Sequence, residues 1–140
     1  MLIKEEDQLE LPGITVRQNP WHLVKRMHVN FGINYDGEPR HLETDEKEFR
    51  LVCLREEVAE YEEAETLADE LDAIIDLIVF ALGTLERHGF PFFRPFMKVM
   101  EANLRKKVAK NASASKRNFS IDLVKPEGWE APDLREFTGE

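Results

Sequence analysis

Cysteine is almost missing from this chain of 140 residues: Cys53 stands alone. An internal disulfide is therefore excluded. Cys53, set on an apolar helix face, reads as a small core residue in a reducing compartment. Long apolar runs are missing too. The longest, residues 73–82, contains Asp76 and falls short of the roughly 18 residues that span a bilayer, so it reads as a core helix and no membrane partner is expected. The opening MLIKEEDQLELPG has neither a basic n-region nor a long apolar stretch, and a cytoplasmic location is expected. No segment alternates convincingly as a strand, and no internal repeat is visible. Positive charge is in short supply, with 19 Lys and Arg against 28 Asp and Glu, a net charge of −9 that argues against long nucleic acid as a partner. Finally, no Ser, Cys or His is paired with a base as a catalytic nucleophile would be.

What remains is helical. Hydrophobic residues make up 42% and charged residues 34% of the chain, as suits narrow apolar stripes flanked by charge. Residues 1–18, broken by Pro12 and Gly13, read as an N-terminal arm; residues 19–140 form one domain. Asn19 caps and Pro20 opens a first helix that stops at Gly32. Residues 34–43, with Gly37 and Pro39, form a loop. Thr44 is expected to cap a second helix over 45–64, with Phe49, Val52, Cys53 and Val58 on its apolar face. Thr66 followed by Asp69 resembles a capping box, so a third helix starts at Leu67 and ends at His88-Gly89. FPFFRPF reads as a loop whose phenylalanines serve core or subunit contacts, and a fourth helix follows over 96–110. Residues 111–120 are small and polar and read as a mobile loop. The tail, 121–137, is non-helical, with Trp129 packing it onto the body. The fold class is thus all-α, a bundle of four or five helices with an extended C-terminal tail. Because the third helix is apolar almost all round, three others do not cover it, and a homodimer or homotetramer is expected to complete the bundle.

The acids carry the chemistry. Acidic residues on helices are usually a solvated face. Here Glu57 and Glu60 share one face of the second helix, while Asp69, Asp72 and Asp76 form a row on the third. Asp72 and Asp76 also sit among Leu71, Ile74, Ile75, Leu77, Ile78 and Val79, which predicts burial. Antiparallel packing across a turn of one or two residues sets Glu60 level with Asp69 and Asp72, and Glu57 level with Asp72 and Asp76, at about 1.5 Å per residue. Four or five carboxylates can then converge on one or two cations. With no sulfur or imidazole nearby, Mg²⁺ or Mn²⁺ is the natural counter-ion. Glu62, Glu63 and Glu65, which lack an apolar frame, read as solvent-facing. Charge is unevenly spread: residues 94–125 hold nine Lys or Arg and two acids, a local +7 against −16 elsewhere. A metal-chelated polyphosphate would satisfy both regions. The histidines read as ordinary: His22 and His28 do not share a helix face, His41 lies in a loop, and His88 sits at a helix end.

These elements resemble the MazG-like all-α nucleoside triphosphate pyrophosphohydrolases, whose signature is EExxE followed by ExxD. The chain has Glu56-Glu57-Val58-Ala59-Glu60, then Asp69-Glu70-Leu71-Asp72. The resemblance is nearest to the phosphoribosyl-ATP pyrophosphohydrolase-like branch, whose DALxDLxYxxxGT matches the stretch from Asp72 through Asp76 to Gly83-Thr84. An aNxxK element at Ala102, Asn103 and Lys106 and a KPxGWxxPD ending from Lys125 to Asp133 complete it, over residues 45–134. The chain departs in its short spacer, 61–68, and in having Asp69 where the family has Glu. The resemblance implies that Glu57, Glu60, Asp69 and Asp72 hold Mg²⁺, with Mn²⁺ a possible substitute. It makes Glu56 and Asp76 further ligands or activators of water, and gives Asn103, Lys106 and Lys125 to the substrate. The expected reaction is hydrolysis of a (deoxy)nucleoside triphosphate to the monophosphate and pyrophosphate, in house-cleaning or pool control. A phosphoribosyl-ATP or alarmone hydrolase and a non-catalytic helical interaction module stand as alternatives. A di-iron bundle is disfavoured, because neither acidic helix has a Glu-x-x-His pair.

Overall fold

The computed structural model describes residues 19–140; the expected N-terminal arm, 1–18, lies outside them. The order is α1 (Pro20–Asn30), α2 (Thr44–Glu63), α3 (Leu67–His88), α4 (Phe93–Leu104), β1 (Lys107–Val108) and β2 (Leu123–Val124), with 3₁₀ turns at Ala112–Ala114 and Arg135–Phe137. The all-α class stands, the two strands being two residues each. The chain forms two compact units that divide after Phe90.

In the first unit the helix ends follow from local chemistry. Asn19 accepts a hydrogen bond from the His22 amide at 3.0 Å, and Pro20 takes the first helical position, where its missing N–H costs nothing. Thr66 accepts from the Asp69 amide at 3.1 Å and opens α3. Gly89 closes α3 at φ 76° in the left-handed conformation. A Cβ there would lie 2.8 Å from the Tyr35 ring and 2.9 Å from the Gly37 carbonyl, so only glycine lets the 31–43 loop cross the helix end. The cap of α2 differs from expectation. Thr44 is already helical, and Glu43 holds the cap position without a side-chain bond; the Glu46 amide instead finds Asp45 at 2.8 Å.

α2 and α3 pack as an antiparallel hairpin, and α1 crosses α3 at Gly83. A Cβ at Gly83 would lie 3.0 Å from His28 Nε2 and 3.1 Å from an Arg50 nitrogen, so the small residue lets both side chains rest on the helix. The buried faces are polar as well as apolar. Glu86 is buried in α3 and accepts from His28 Nδ1 at 3.2 Å and from the Tyr35 amide at 2.8 and 3.1 Å. This one carboxylate therefore ties α1 and the 31–43 loop to α3. Arg87 binds Glu46 through two nitrogens, joining α3 to α2, and Arg40 donates to the Arg87 carbonyl.

α2 corrects the expected core. Cys53 is buried as anticipated, and burial pushes its thiol up. Phe49, Val52 and Val58, expected beside it, are 58%, 46% and 54% exposed. The inward row is Arg50, Cys53 and Glu57, at helical spacing, so α2 turns a mixed polar face to α3 and leaves its apolar stripe outside.

In the second unit α4 begins at Phe93 and ends at Leu104, earlier at both ends than expected. Pro95 falls in the first turn, where proline is tolerated, so the phenylalanine-rich segment enters the helix; the Phe92 ring packs at a tilt against Phe93 and Phe96, with ring centroids 5.2 and 5.1 Å apart. Beyond Arg105 the chain straightens, and Lys107–Val108 pairs antiparallel with Leu123–Val124. Pairing with a distant segment thus overrides the helical propensity of the lysines. The 111–120 segment, expected as a mobile loop, carries its own structure: Asn111 caps the Ala112–Ala114 turn and Ser115 is buried. Trp129 anchors the tail as anticipated, its indole N–H donating at 2.7 Å to the Ala102 carbonyl, which also accepts from the Arg105 amide at the end of α4.

Candidate active site

The α2–α3 hairpin positions the acids. Its turn spans residues 64–66, so the last turns of α2 run beside the first turns of α3. Glu60 and Glu63 from α2 and Asp69 and Asp72 from α3 line one cavity of about 260 Å³. Glu63 was expected to face only solvent; it does face solvent, and it also forms part of this wall. Deeper along the hairpin lies Glu57, 8% exposed, with one carboxylate oxygen that finds no hydrogen-bond donor. Its carboxyl is held above the usual range, first by burial, then by the charge of Glu60 and hydrogen bonding with it, and further by Asp76 and Asp72. Glu60 and Asp72 thus belong to both the cavity and the surroundings of Glu57.

Burial within the acidic set differs from expectation. Asp76 is half-buried, whereas Asp72 and Asp69 are exposed, because the α3 face bearing Leu71, Ile74, Ile75 and Ile78 is uncovered in the single chain. Glu56 is exposed on the neighbouring position of α2 and does not line the cavity. Among the described residues no three His, Cys, Asp or Glu side chains already stand together as a metal-holding group. The donor chemistry nevertheless fits a hard divalent cation: all the converging groups are carboxylates, and an unpartnered, buried oxygen on Glu57 is a position that a cation or a proton must satisfy.

The three residues assigned to the substrate lie in the second unit. Asn103 is in the last turn of α4, and the Lys106 and Lys125 ammonium groups sit 5.2 and 4.9 Å from the Trp129 ring centroid. Two features escaped the sequence. The burial of Arg50, His28 and Glu86 could not be read from spacing, because they come from three helices; Lys116 and Arg117, which share a cavity with Lys106 and Lys125, lay in a segment read only for its small polar composition. The local excess of basic residues over 94–125 was the one signal available for the latter.

The chain is thus all-α, with a helical hairpin whose carboxylates line a cavity. Residues 24–103, more than half of the chain, match the family model of phosphoribosyl-ATP pyrophosphohydrolase, and the chain belongs to that family, within the MazG-like superfamily. The match takes in α2, α3 and every acid of the candidate site. The family is one of pyrophosphohydrolases, which makes this chain a hydrolase of nucleotide phosphoanhydrides. A comparison with curated proteins finds no match. No helix among the described residues is long and apolar enough to cross a membrane.

Proposed function

We propose that the protein is a Mg²⁺-dependent pyrophosphohydrolase that cleaves a (deoxy)nucleoside triphosphate between its α- and β-phosphates, in the cytoplasm, for house-cleaning or pool control. The observation that carries this reading is Glu57, buried with an unpartnered oxygen and held protonation-prone by Glu60, Asp72 and Asp76. Burial and the charges of Glu60, Asp72 and Asp76 raise the energy of ionised Glu57, and a group of that kind gains most from a divalent cation.

In this reading Glu57, Glu60, Asp69 and Asp72 hold Mg²⁺ or, as a substitute, Mn²⁺. When bound, the ion supplies Lewis-acid neutralisation of phosphate charge. Asp76, half-buried and close enough to raise the Glu57 carboxyl, orients the attacking water and takes its proton; Glu56, exposed and without that influence on Glu57, is the weaker candidate for the role. The water oxygen bonds to the α-phosphorus, the bond from that phosphorus to the bridging oxygen breaks, and monophosphate and pyrophosphate leave. Asn103, Lys106 and Lys125 contact the nucleotide, the lysines offsetting the charge that develops on the leaving group.

A second reading is favoured by the family match itself: phosphoribosyl-ATP as the substrate, by the same cleavage. The test covers both. Ribo- and deoxynucleoside triphosphates and phosphoribosyl-ATP are incubated with the protein in Mg²⁺, Mn²⁺ or EDTA, and pyrophosphate is measured. We expect metal-dependent release from one or a few substrates, and a fall of about 10²–10⁴-fold in turnover for Asp76→Asn. Release that persists undiminished in EDTA would overturn the metal site.

A further inference from the structure

The second unit contains a cavity of about 260 Å³ whose wall carries Lys106, Lys116, Arg117 and Lys125 against a single carboxylate, Asp122. That carboxylate is already engaged. The Ser115 hydroxyl donates to it at 2.7 Å and an Arg117 nitrogen reaches its two oxygens at 2.8 and 3.0 Å. The Ser115 hydrogen bond, with the Arg117 charge, holds the Asp122 carboxyl below the usual range. Asp122 therefore acts as a bracket that fixes Arg117, and the cavity keeps a formal charge of +3. Among the described residues Lys106, Lys116 and Lys125 have no carboxylate partner.

The hairpin register makes this concentration costly. Lys107 pairs with Val124, and Lys106 and Lys125 flank that pair at the end of the ladder. Like charges held this close repel. Both ammonium groups lean on one Trp129 ring, which the Ala102 carbonyl holds in place. The ring's negative face relieves part of the repulsion and keeps the two charges at the cavity edge. No aromatic side chain lines the cavity, and its volume is below the roughly 300–1,000 Å³ of pockets that enclose a drug-sized ligand. A base has nothing to stack on there, whereas a chain of phosphate oxygens meets four cations.

We propose that this cavity binds the di- or triphosphate chain of the substrate, and that Lys116 and Arg117 are phosphate-contacting residues alongside Lys106 and Lys125. The proposal rests on the reading of the protein as a nucleotide pyrophosphohydrolase. Its test separates the two. Inorganic pyrophosphate is titrated into the metal-free protein in EDTA, followed by calorimetry and by tryptophan fluorescence in a Trp21→Phe background, which leaves Trp129 as the reporter. The expected result is saturable binding that weakens with added salt and falls about tenfold or more in Lys116→Gln, an exposed position whose loss leaves the hairpin intact, and in Arg117→Ala. Absence of saturable binding, or full affinity in both variants, overturns the proposal. Pyrophosphate binding that depends on these residues in a protein that cleaves no nucleotide leaves the phosphate site standing and overturns the hydrolase reading. Turnover without pyrophosphate binding overturns the site alone.

Discussion

At the scale of single residues, Glu57 links stability to function. Its carboxyl is raised above its ordinary value by burial and by three neighbouring carboxylates, so between the ordinary and the raised value the folded state binds more protons than the unfolded one. In that window stability falls as pH rises, and it is fully recovered only below the unfolded value. Two consequences follow for the metal-free protein: its melting temperature should rise as pH is lowered toward the ordinary carboxylate range, and it should rise at neutral pH on addition of Mg²⁺. Glu57→Gln replaces the charge with an amide that can donate to Glu60. The variant should melt higher than wild type without metal, lose the Mg²⁺ response, and fall on the order of 100-fold or more in turnover. Thermal melts with and without Mg²⁺, with a pyrophosphate assay, check all three. A variant that melts lower than wild type without metal and still cleaves normally would show Glu57 to be structural.

Elements differ in how far they could be read from the chain. α1 and α3 were legible to within a residue at both ends, since Asn19-Pro20, Thr66 with Asp69, and Gly89 act within one turn. α4 was not. Pro95 is equally at home in a loop or in a first turn, and the end of the helix is set by pairing with residues 123–124, a contact that local sequence does not encode. The site shows the same divide. Spacing places Glu57, Glu60, Asp72 and Asp76 together, because a helix fixes which residues share a face. Which of them is buried depends on which row of α2 turns inward, Arg50, Cys53 and Glu57 rather than Phe49, Val52 and Val58, and packing between helices decides that. The Thr66 cap is the element-scale feature that touches chemistry, since its one bond holds Asp69, a wall of the cavity. Thr66→Ala should cost about 1 kcal/mol in denaturant melts and let the first turn of α3 fray. A several-fold rise in the Mg²⁺ concentration for half-maximal activity should accompany it, with little change at saturating metal. An unchanged Mg²⁺ requirement would mean that Asp69 is no ligand.

At the scale of the whole molecule, the exposed apolar surface of the α2–α3 hairpin has to be explained. Leu67 and Leu71 are 82% and 65% exposed, and Phe49, Val58, Ile75 and Ile78 each expose about half of their surface or more than two-fifths. Soluble monomers scatter such residues singly, but here they recur along two packed helices. Each side chain of this size, once fully buried, contributes about 1.5–3 kcal/mol, so several of them suffice to hold two copies together. A second copy laid on this face would also supply the cover that Asp72 and Asp76 lack in one chain, which couples assembly to the carboxylate site. We therefore predict that light scattering gives a mass of two or four times 16.3 kDa. Leu71→Glu, which places a charge in the middle of the face, should shift the mass toward that of one chain and lower turnover at least about tenfold, with helical content by circular dichroism retained. A wild-type protein that remains at 16.3 kDa at micromolar concentration while turning over substrate would show that one chain completes the site and that the apolar face serves another partner.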